Sequence, residues 1–502
     1  MGTNGKDYAM KKIISVLLAL LMLVPAMAAC SDDSGTPSAD TTAVSGETTT
    51  AAETEEENER LKVKDDLPAD LNYKNKTWRV YASTKSNGTK FVMGSEELKG
   101  DLLNETVWAR NLAVEERLKI KIECNGFDDS YSDNHLKISA LIMADDNTYD
   151  LFLGMDVSVP YLVPQKVFVN GYDLKYVNFD KPWWFNKYMD DMALGKTHRF
   201  LLVSDYNTHV FAYTHSNFFN KNLYQDLYGN PDDLYQKVLD GNWTLDYFKQ
   251  LVQGSYKDLN GNGAVDYTDQ LGYYASSLNS TSDPWVYGGH VSHTKRTDDG
   301  FVELTVGSED SYEIINRLNA IFHGPGSHVD AEHSRTDVFK AGNALFVTGM
   351  LSTAAGLRDM EDDFGFLPFP KTSDTQENYK TQVAATAQLS CVPVSSDNIE
   401  MTGAVLEALS AQSYYYVTPA YYESELMLKY ARDSLSTQMI DLIRETMTSD
   451  FIYAYNYALN RIGHVHRKLI VNNDDSYMSK IASTLPAAQN LPEEFVKAFK
   501  GQ

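Results

Sequence analysis

Residues 78–81 read Trp-Arg-Val-Tyr and residues 119–124 read Lys-Ile-Lys-Ile-Glu-Cys, and these segments, with the stretch between them, decide the fold. In both, apolar side chains alternate with polar ones, which is the pattern of a β-strand with one buried face. From Leu103 to Leu118, apolar residues recur at spacings of four and seven, which predicts a helix. Two strands joined by a long helical crossover pair in parallel. With a third apolar strand at 149–153, they predict the opening of a doubly wound α/β sheet.

The composition of the chain limits the classes of function. It has 502 residues, 43% of them hydrophobic, which is enough for a large core shared by two or more lobes. The formal net charge is -25, and no stripe of Lys and Arg offsets it, so the sequence argues against nucleic-acid binding. The 3 Cys are too few for a disulfide scaffold. We expect Cys124 and Cys391 to be buried thiols, with a disulfide between them as the alternative.

The N-terminal segment has the parts of a secretory signal. Two lysines follow Met10, an apolar run extends from 13 to 29, and Cys30 comes next. The run is at the lower length limit for crossing a bilayer, so a membrane-spanning anchor is the competing interpretation.

Residues 27–30, Met-Ala-Ala-Cys, resemble the lipobox of bacterial lipoproteins, with Met27 where Leu is usual. The resemblance implies a signal peptide at 1–29, which includes an extension at 1–9, and acylation of the cysteine. Residues 30–59 are then almost entirely Ser, Thr, Ala, Gly, Asp and Glu. Such a composition cannot offset its ordering entropy, so we expect a disordered tether.

Several stretches of the body, in their order, resemble the extracellular solute-binding family to which maltose-binding protein belongs, and especially its large lipoprotein members. The resemblance extends from about residue 75 to about residue 460. The stretches are YDLFLGMDVSVPYLVPQKVFVN (149–170), DKPWW (180–184), HSNFFNKNLY (215–224), GNWTLDYFKQLV (241–252), DLNGNGAVDYTDQLGYY (258–274), FKAGNALFVTGM (339–350), DFGFLPFPK (363–371) and VTPAYYESELMLKYARDSLSTQMIDLI (417–443).

This resemblance implies a bilobal α/β fold of the periplasmic-binding-protein type II class, with two doubly wound lobes joined by a multi-strand hinge. Lobe 1 would comprise residues 73–208 and 384–445, lobe 2 residues 209–383 and 446–497, and the crossings would lie at 200–213 and 383–394. The implied function is capture of an extracellular solute, foremost an oligosaccharide, in the interlobe cleft and its delivery to the permease subunits of an ABC importer. We expect a monomer that is lipid-anchored on the outer face of the bacterial cell membrane.

A cleft for a hydroxyl-rich solute needs flat apolar faces and fixed hydrogen-bonding groups. Trp285, in an Asp-Pro-Trp context, lies where the resembling family places a sugar-stacking ring, and Tyr287 follows it. Met350 lies in a loop that often carries a cleft aromatic in that family, and this ring is missing here. We expect the Trp pair at 183–184 to be a packing turn.

The positions of some residues relative to the predicted strands make them further candidates for contact with solute. Met155 and Asp156 lie at the carboxyl end of the strand at 149–153, where open α/β sheets bind ligands. We expect Asp156 to accept hydrogen bonds from solute hydroxyls. Tyr213 and His215 lie where the chain enters the second lobe, beside the expected cleft.

Residues 258–269 fit the twelve-residue calcium loop of EF-hand proteins. Gly263 occupies the sharp-turn position, and a helix predicted over 245–252 precedes the loop. Position 12 is Asp instead of Glu, so we expect modest affinity for a structural Ca²⁺, with a plain Asn-Gly turn as the alternative. The predicted ligands are Asp258, Asn260, Asn262, the carbonyl of Ala264, Asp266 and Asp269.

Two other classes of function stay open. A transition-metal-binding surface lipoprotein would use the histidines between 290 and 333, because imidazole clusters bind zinc, although their spacing is irregular. A carbohydrate-active hydrolase would use two of the 69 Asp and Glu. We expect no enzyme, since the sequence has no nucleophile elbow and no phosphate-binding glycine loop. The histidines concerned are His290, His293, His323, His328 and His333.

Overall fold

The computed structural model describes residues 60–84, 88–97, 99–127, 133–144, 147–289, 293–426 and 434–499. The predicted signal peptide, the acylated Cys30, the tether at 30–59 and His290 lie outside these residues. In the described part of the chain, no helix has both the length and the apolar composition that crossing a membrane requires.

Strands and helices alternate along most of the chain. The described strands are β1 (Lys76–Ser83), β2 (Ile120–Phe127), β3 (Leu151–Met155), β4 (His215–Asn220), β5 (Leu271–Ser276), β6 (Thr294–Arg296), β7 (Val302–Leu304), β8 (Ser327–Asp330), β9 (Ala344–Met350), β10 (Phe364–Leu367), β11 (Thr381–Gln382), β12 (Gln388–Cys391) and β13 (Met447–Thr448). The described α-helices are α1 (Gly88–Met93), α2 (Leu102–Leu118), α3 (Asn134–Met143), α4 (Asn186–Met192), α5 (Thr208–Ala212), α6 (Lys221–Tyr228), α7 (Asp232–Leu239), α8 (Leu245–Gly254), α9 (Asp283–Tyr287), α10 (Glu309–Phe322), α11 (Arg335–Lys340), α12 (Ile399–Gln412), α13 (Thr418–Ser424), α14 (Ser434–Glu445), α15 (Phe451–Ala454), α16 (His466–Val471), α17 (Tyr477–Ala488) and α18 (Leu491–Phe499).

The first sheet has the strand order β12-β3-β1-β2. β1 pairs in parallel with β2 from Lys76↔Ile120 to Ser83↔Phe127, and also in parallel with β3. The crossover helix α2 begins at Asp101, whose side chain accepts from the Asn104 amide, and it ends at Lys119 in the left-handed region. Its buried face includes Leu103, Val107, Val114 and Leu118. The predicted parallel β-α-β unit is therefore confirmed.

The second sheet has the strand order β10-β4-β9-β5-β8. β5 is parallel to both β8 and β9, whereas β4 is antiparallel to β9 and β10. Helix α8, predicted over 245–252, packs an apolar face on this sheet, and the Thr244 side chain caps it by accepting from the Tyr247 amide. The chain thus has two α/β sheets with helices packed on them, as the α/β prediction required.

Two segments cross between the sheets and pair with each other. The chain leaves the first sheet after Met155 and enters the second at His215; it returns between Leu367 and Gln388. Antiparallel bridges join Leu202 to Ser390 and Thr214 to Val383. A short parallel pair of β11 with β13 also lies in this connecting region.

Helix α14 packs against the second sheet, on β10 and α7. Its Ser436 hydroxyl lies 3.3 Å from Lys221 Nζ and 3.0 Å from the Tyr235 hydroxyl. The range 384–445 expected for lobe 1 includes this helix, and Arg444 near its other end pairs with Asp205 of the 73–208 range at 2.8 Å. The helix thus contacts both sides, and the lobe limits stay predictions.

Both cysteines of the body are free thiols. Cys124 on β2 lies opposite Val80 on β1, and Cys391 on β12 lies opposite Phe152 on β3. These strands are the two outer strands of a four-stranded sheet, so three strand spacings separate them by about 14 Å. A disulfide needs Cα atoms within about 7 Å, which excludes the bridge that the sequence left open.

The Trp pair at 183–184 is a packing turn, as predicted. Both rings are buried, and both indole nitrogens donate to Glu407 of α12, at 3.2 Å from Trp183 and 3.0 Å from Trp184. The backbone amide of Asn178 donates to the same carboxylate at 3.2 Å. Burial raises the pKa of Glu407 to about 7, and these three donors oppose the rise.

Candidate functional site at the junction of the two sheets

A short backbone segment at 384–387 connects the two candidate binding edges. On one side the Ala384 amide donates to the Tyr213 carbonyl at 2.9 Å. On the other side the carbonyls of Ala385 and Ala387 accept from the amides of Val157 and Asp156, at 2.7 and 2.8 Å. The carboxyl end of β3 and the entry into the second sheet therefore meet at one junction, as the sequence predicted for Asp156 and Tyr213.

Asp156 is the most informative side chain at this junction. It is fully buried, and its Oδ2 accepts from the Tyr188 hydroxyl at 2.9 Å. Its Oδ1 has no hydrogen-bond partner among the described residues. Burial raises the pKa of Asp156 to about 7, and the Tyr188 hydrogen bond opposes this. Buried polar atoms are nearly always paired, so this oxygen marks a place for an external donor.

Further buried polar atoms around the junction lack partners in the described structure. Gln388, at the start of β12 opposite Met155, has an unpaired Oε1. The hydroxyls of Thr281 and Ser282, just before α9, and Nε2 of His464 are unpaired as well. The junction is thus polar and incompletely hydrogen-bonded.

Asp283, the first residue of α9, accepts the largest group of hydrogen bonds on the side of the junction formed by the second sheet. The fully buried carboxylate accepts from Arg467 Nε at 2.8 Å and from Arg467 Nη2 at 2.5 Å. His466 Nε2 lies 3.0 Å from it, and the Tyr453 hydroxyl donates to it at 3.2 Å. Burial would raise the pKa of Asp283, but Arg467 and His466 hold it well below its usual range.

Tyr453 connects Asp283 to the backbone segment 384–387. Its hydroxyl donates to Asp283 and accepts from the Ala385 amide at 3.0 Å. Burial, and then the charges of Asp283 and Asp156, raise the pKa of Tyr453 well above its usual value. Sequence reasoning missed Tyr453 and Arg467, because their partners lie 170 and 184 residues away in the chain.

Trp285 is a core residue, which corrects the prediction of a stacking ring. Only 3% of it is exposed. Its indole nitrogen lies 3.1 Å from the hydroxyls of both Tyr273 and Thr348, and the rings of Phe248 and Phe369 pack on it at 4.7 and 5.1 Å. An indole so enclosed offers no open face to a sugar.

Tyr287 and Met155 are also buried, and unlike Asp156 neither has an unpaired polar atom in the described structure, which goes against the prediction that they contact solute. The Tyr287 hydroxyl donates to the Gly463 carbonyl, and its ring packs against Tyr453 at 4.9 Å. Met155 is fully buried within β3, and its amide donates to Asn134 Oδ1 at 3.0 Å. Both residues therefore support the junction from inside.

Tyr213, His215 and Met350 lie at the second sheet's edge and are partly exposed. His215 pairs with Met350 across β4 and β9. The Tyr213 ring stacks on His209 at 4.1 Å, so one of its faces is covered. Burial lowers the pKa of His215 to about 4, so its imidazole is neutral at neutral pH. The structure brings these three residues together at the predicted edge.

An aromatic group near the end of β3 was missed by the sequence reasoning. Tyr161, 41% exposed, packs edge-on against His135 at 4.9 Å. His135 also lies 6.2 Å from Tyr457, whose ring carries the Arg461 guanidinium at 4.8 Å. Tyr161 lies inside the stretch 149–170 that carried the family resemblance, so a search of that stretch for rings could have found it.

The 258–269 loop has the hydrogen bonds of an EF-hand-like turn. Asp258 accepts from the amides of Gly261 and Gly263, at 2.6 and 3.0 Å, and Gly263 has the positive φ of 75° that favours glycine. Asp266 accepts from the side-chain amides of Asn260 and Asn262 at 2.9 and 2.8 Å.

Asp266, Asn260 and Asn262 thus lie together, and their oxygens would suit a hard cation if both amides presented them. Within the described residues, however, the three carboxylates of the loop do not form a metal-binding group. Asp269, at position 12, is fully buried and accepts from the Leu259 amide at 3.1 Å.

The histidines of the predicted alternative, a transition-metal site, lie apart from one another. His293 is buried near Ser311, and His323 lies 2.7 Å from the Ile470 carbonyl. His333 lies 2.7 Å from Asp330, whereas His328 is 3.7 Å from the same carboxylate. Across the described ranges, no three His, Cys, Asp or Glu side chains form a metal-binding group. The transition-metal interpretation gains no support.

No protein-family model and no curated protein sequence matches the chain. Solved structures match its fold. The sugar-binding protein MalE from Xanthomonas citri aligns with a TM-score of 0.57 at 12% identity, over 84% of this chain and 98% of that one. A cyclo/maltodextrin-binding protein complexed with maltotetraose aligns with a TM-score of 0.54 at 12% identity, over 85% and 99%. An ABC transporter solute-binding protein from Thermotoga lettingae, bound with α-D-tagatose, aligns with a TM-score of 0.52 at 14% identity, over 84% and 100%.

These three structures are binding proteins, and at such identities the likeness establishes the fold. The chain has the two-lobed α/β fold of ABC transporter solute-binding proteins. The predicted bilobal fold class is confirmed.

Proposed function

We propose that the chain is the solute-capturing subunit of an ABC importer and that it binds a carbohydrate at the junction of its two sheets. The observation that carries this proposal is the buried, unpartnered Oδ1 of Asp156 at the carboxyl end of β3. A solute rich in hydroxyl groups supplies the donors that this oxygen lacks. The likeness in fold to sugar-binding proteins supports the same function.

The stacking surface of this site would be formed by Tyr161, His135 and Tyr457. Tyr161 is the most exposed of the three and lies six residues beyond the end of β3. An aromatic face binds the C–H side of a sugar ring, while Asp156 and Gln388 bind hydroxyl groups. Trp285 packs in the core beneath the second sheet and would not contact the sugar.

The test begins with a thermal-shift screen of the protein against a glycan panel, because a ligand that binds only the folded state raises its stability. Calorimetry on the selected glycan then compares wild type with Asp156→Asn and Tyr161→Ala. Each substitution should weaken binding roughly tenfold or more. Tyr172→Ala is the matched control, since Tyr172 is similarly exposed, at 50%, and lies outside the junction. If peptides stabilise the protein and glycans do not, the carbohydrate assignment is wrong.

The proposal includes export, lipid anchoring and delivery to a permease. The signal-like segment and Cys30 support a mature protein tethered at the outer face of the cell membrane. A tethered receptor keeps its bound solute close to membrane-embedded permease subunits. Release of the protein from the membrane fraction by Cys30→Ala is the test of the anchor.

A structural Ca²⁺ in the 258–269 loop is part of the proposal as well. The spacing of these oxygen side chains supports it, and the ligands would be Asp258, Asn260, Asn262, Asp266 and Asp269 with the carbonyl of Ala264. The ion would hold the loop between α8 and β5 and would not touch the solute.

A further inference from the structure

Arg335 lies at the edge of the second sheet that faces the junction. It follows the end of β8 by five residues and begins α11, which packs on β9 and β5. The parallel strands β5, β8 and β9 all end at this edge, and His215, at the start of the antiparallel β4, lies there too. Burial lowers the pKa of His215, and the charges of Arg335 and Arg467 lower it further, in keeping with their placement at this edge.

Arg335 is the exceptional arginine of the described residues. Nearly all the others donate hydrogen bonds: Arg467 to Asp283, Arg444 to Asp205, and Arg296 to four backbone carbonyls. Arg461 covers a tyrosine ring. For Arg335 the described structure contains neither a hydrogen bond nor an ion pair, although the residue is partly buried. Burial lowers the pKa of its guanidinium.

The charges that act on His215 come from Asp283, which is negative, and from Arg467 and Arg335, which are positive. Asp283 is already saturated by Arg467, His466 and Tyr453, and the His215 ring is neutral. A guanidinium does not lose its proton in proteins, so the remaining positive charge persists. A partly buried, unpaired charge is costly, and it is commonly retained where a ligand supplies the counter-charge.

We propose that the captured solute is an acidic saccharide and that Arg335 binds its oxyanion. This inference rests on the proposed function, because it names the solute class of the same junction. The guanidinium fork matches the two oxygens of a carboxylate, and it also matches sulfate or phosphate oxygens. Asp156 and the rings near Tyr161 contact the neutral part of the saccharide.

The experiment compares saccharides that differ only in charge. Calorimetry measures the affinity of the full chain for a trigalacturonate, its neutral galactotriose counterpart and a sulfated galactotriose, each at low and at high salt. The proposal expects at least one anionic ligand to bind roughly tenfold or more tighter than the neutral one, with an advantage that shrinks in salt. A preference for the uronate identifies a carboxylate, and a preference for the sulfated sugar identifies a sulfate ester.

Substitution then assigns the preference to its residue. Arg335→Gln should remove roughly tenfold to a hundredfold of the affinity for the anionic ligand and leave the affinity for the neutral one within about threefold. Arg335→Lys keeps the charge and should restore part of the affinity, which separates a binding role from a folding role. Arg358→Gln is the control, because Arg358 is an exposed arginine paired with Glu425 at another surface.

Two results would overturn parts of the account, and they are distinguishable. If the neutral saccharide binds as tightly as both anionic ones, or if Arg335→Gln weakens all three equally, the acidic-saccharide inference is wrong while the sugar-capturing function stands. If no saccharide binds, acidic or neutral, in this set or in the glycan panel of the thermal-shift screen, the proposed function itself is wrong.

Discussion

The buried ion pair of Asp283 and Arg467 should dominate the stability of the second sheet's side of the junction. The Asp283 side chain is 0% exposed and has three partner side chains, which come from α15 and α16. Asp283→Asn keeps the shape but leaves the Arg467 guanidinium without its counter-charge. Breaking a buried pair on one side costs about 3–5 kcal/mol. For one cooperative unit of this length, that loss lowers Tm by roughly 3–5 °C.

The matched control is Asp246→Asn. Asp246 also lies in the first turn of a helix and also pairs with an arginine, Arg317 at 2.9 Å, but its side chain is 83% exposed. Exposed pairs contribute about 0–1 kcal/mol, so Tm should fall by about 1 °C or less. Thermal and denaturant unfolding followed by circular dichroism measure both variants. Equal losses would refute the argument, because burial would then not decide the strength of the pair. The double variant Asp283→Asn, Arg467→Met should recover part of the loss.

Three further predictions test other parts of the structure. The pKa of Glu407 is raised in the folded state, so its contribution to stability falls as pH rises from about 4.5 to 7, by up to about 3 kcal/mol. The substitution Glu407→Gln should therefore flatten the decline of Tm over that range. The control Glu400→Gln, at an exposed glutamate of the same helix, should leave the decline unchanged. Calcium should raise Tm and a chelator should lower it, and Asp258→Ala should abolish the difference; identical melting of wild type in both conditions would reduce the loop to a turn. Cys30→Ala should release the protein from the membrane fraction, and full retention would favour a spanning helix.

The sequence predicted those features that depend on local periodicity. The alternation at 78–81 and 119–124, and the four- and seven-residue spacings within 103–118, specify strands and a helix because each pattern puts one apolar face on one side of the element. Those patterns therefore predicted the parallel β1–β2 pair and the buried face of α2. The helix over 245–252, which corresponds to α8, was predicted for the same reason.

The sequence predicted the site less well, because burial of a ring or a charge depends on distant residues. Trp285 has the aromatic surface of a sugar platform, but only the packing of Phe248 and Phe369 shows that it is core. The ion pair of Asp283 with Arg467 joins residues that are 184 apart in the chain, so no local sequence pattern predicts it. The position of Asp156 just beyond the carboxyl end of β3 was predictable, because topology alone assigns that position to ligands, whereas its contact with solute stays a prediction.

The most direct test of the central claim is the position of the glycan in a crystal structure of the complex, with the saccharide selected by the thermal-shift screen. The account predicts that a sugar hydroxyl lies within hydrogen-bonding distance of Asp156 Oδ1 and that residues of both sheets contact the ligand. A separate groove of about 820 Å³, lined by Lys166, Tyr172, His198 and other residues, offers another location. A glycan found in that groove, with Asp156 still unpartnered, would contradict the account.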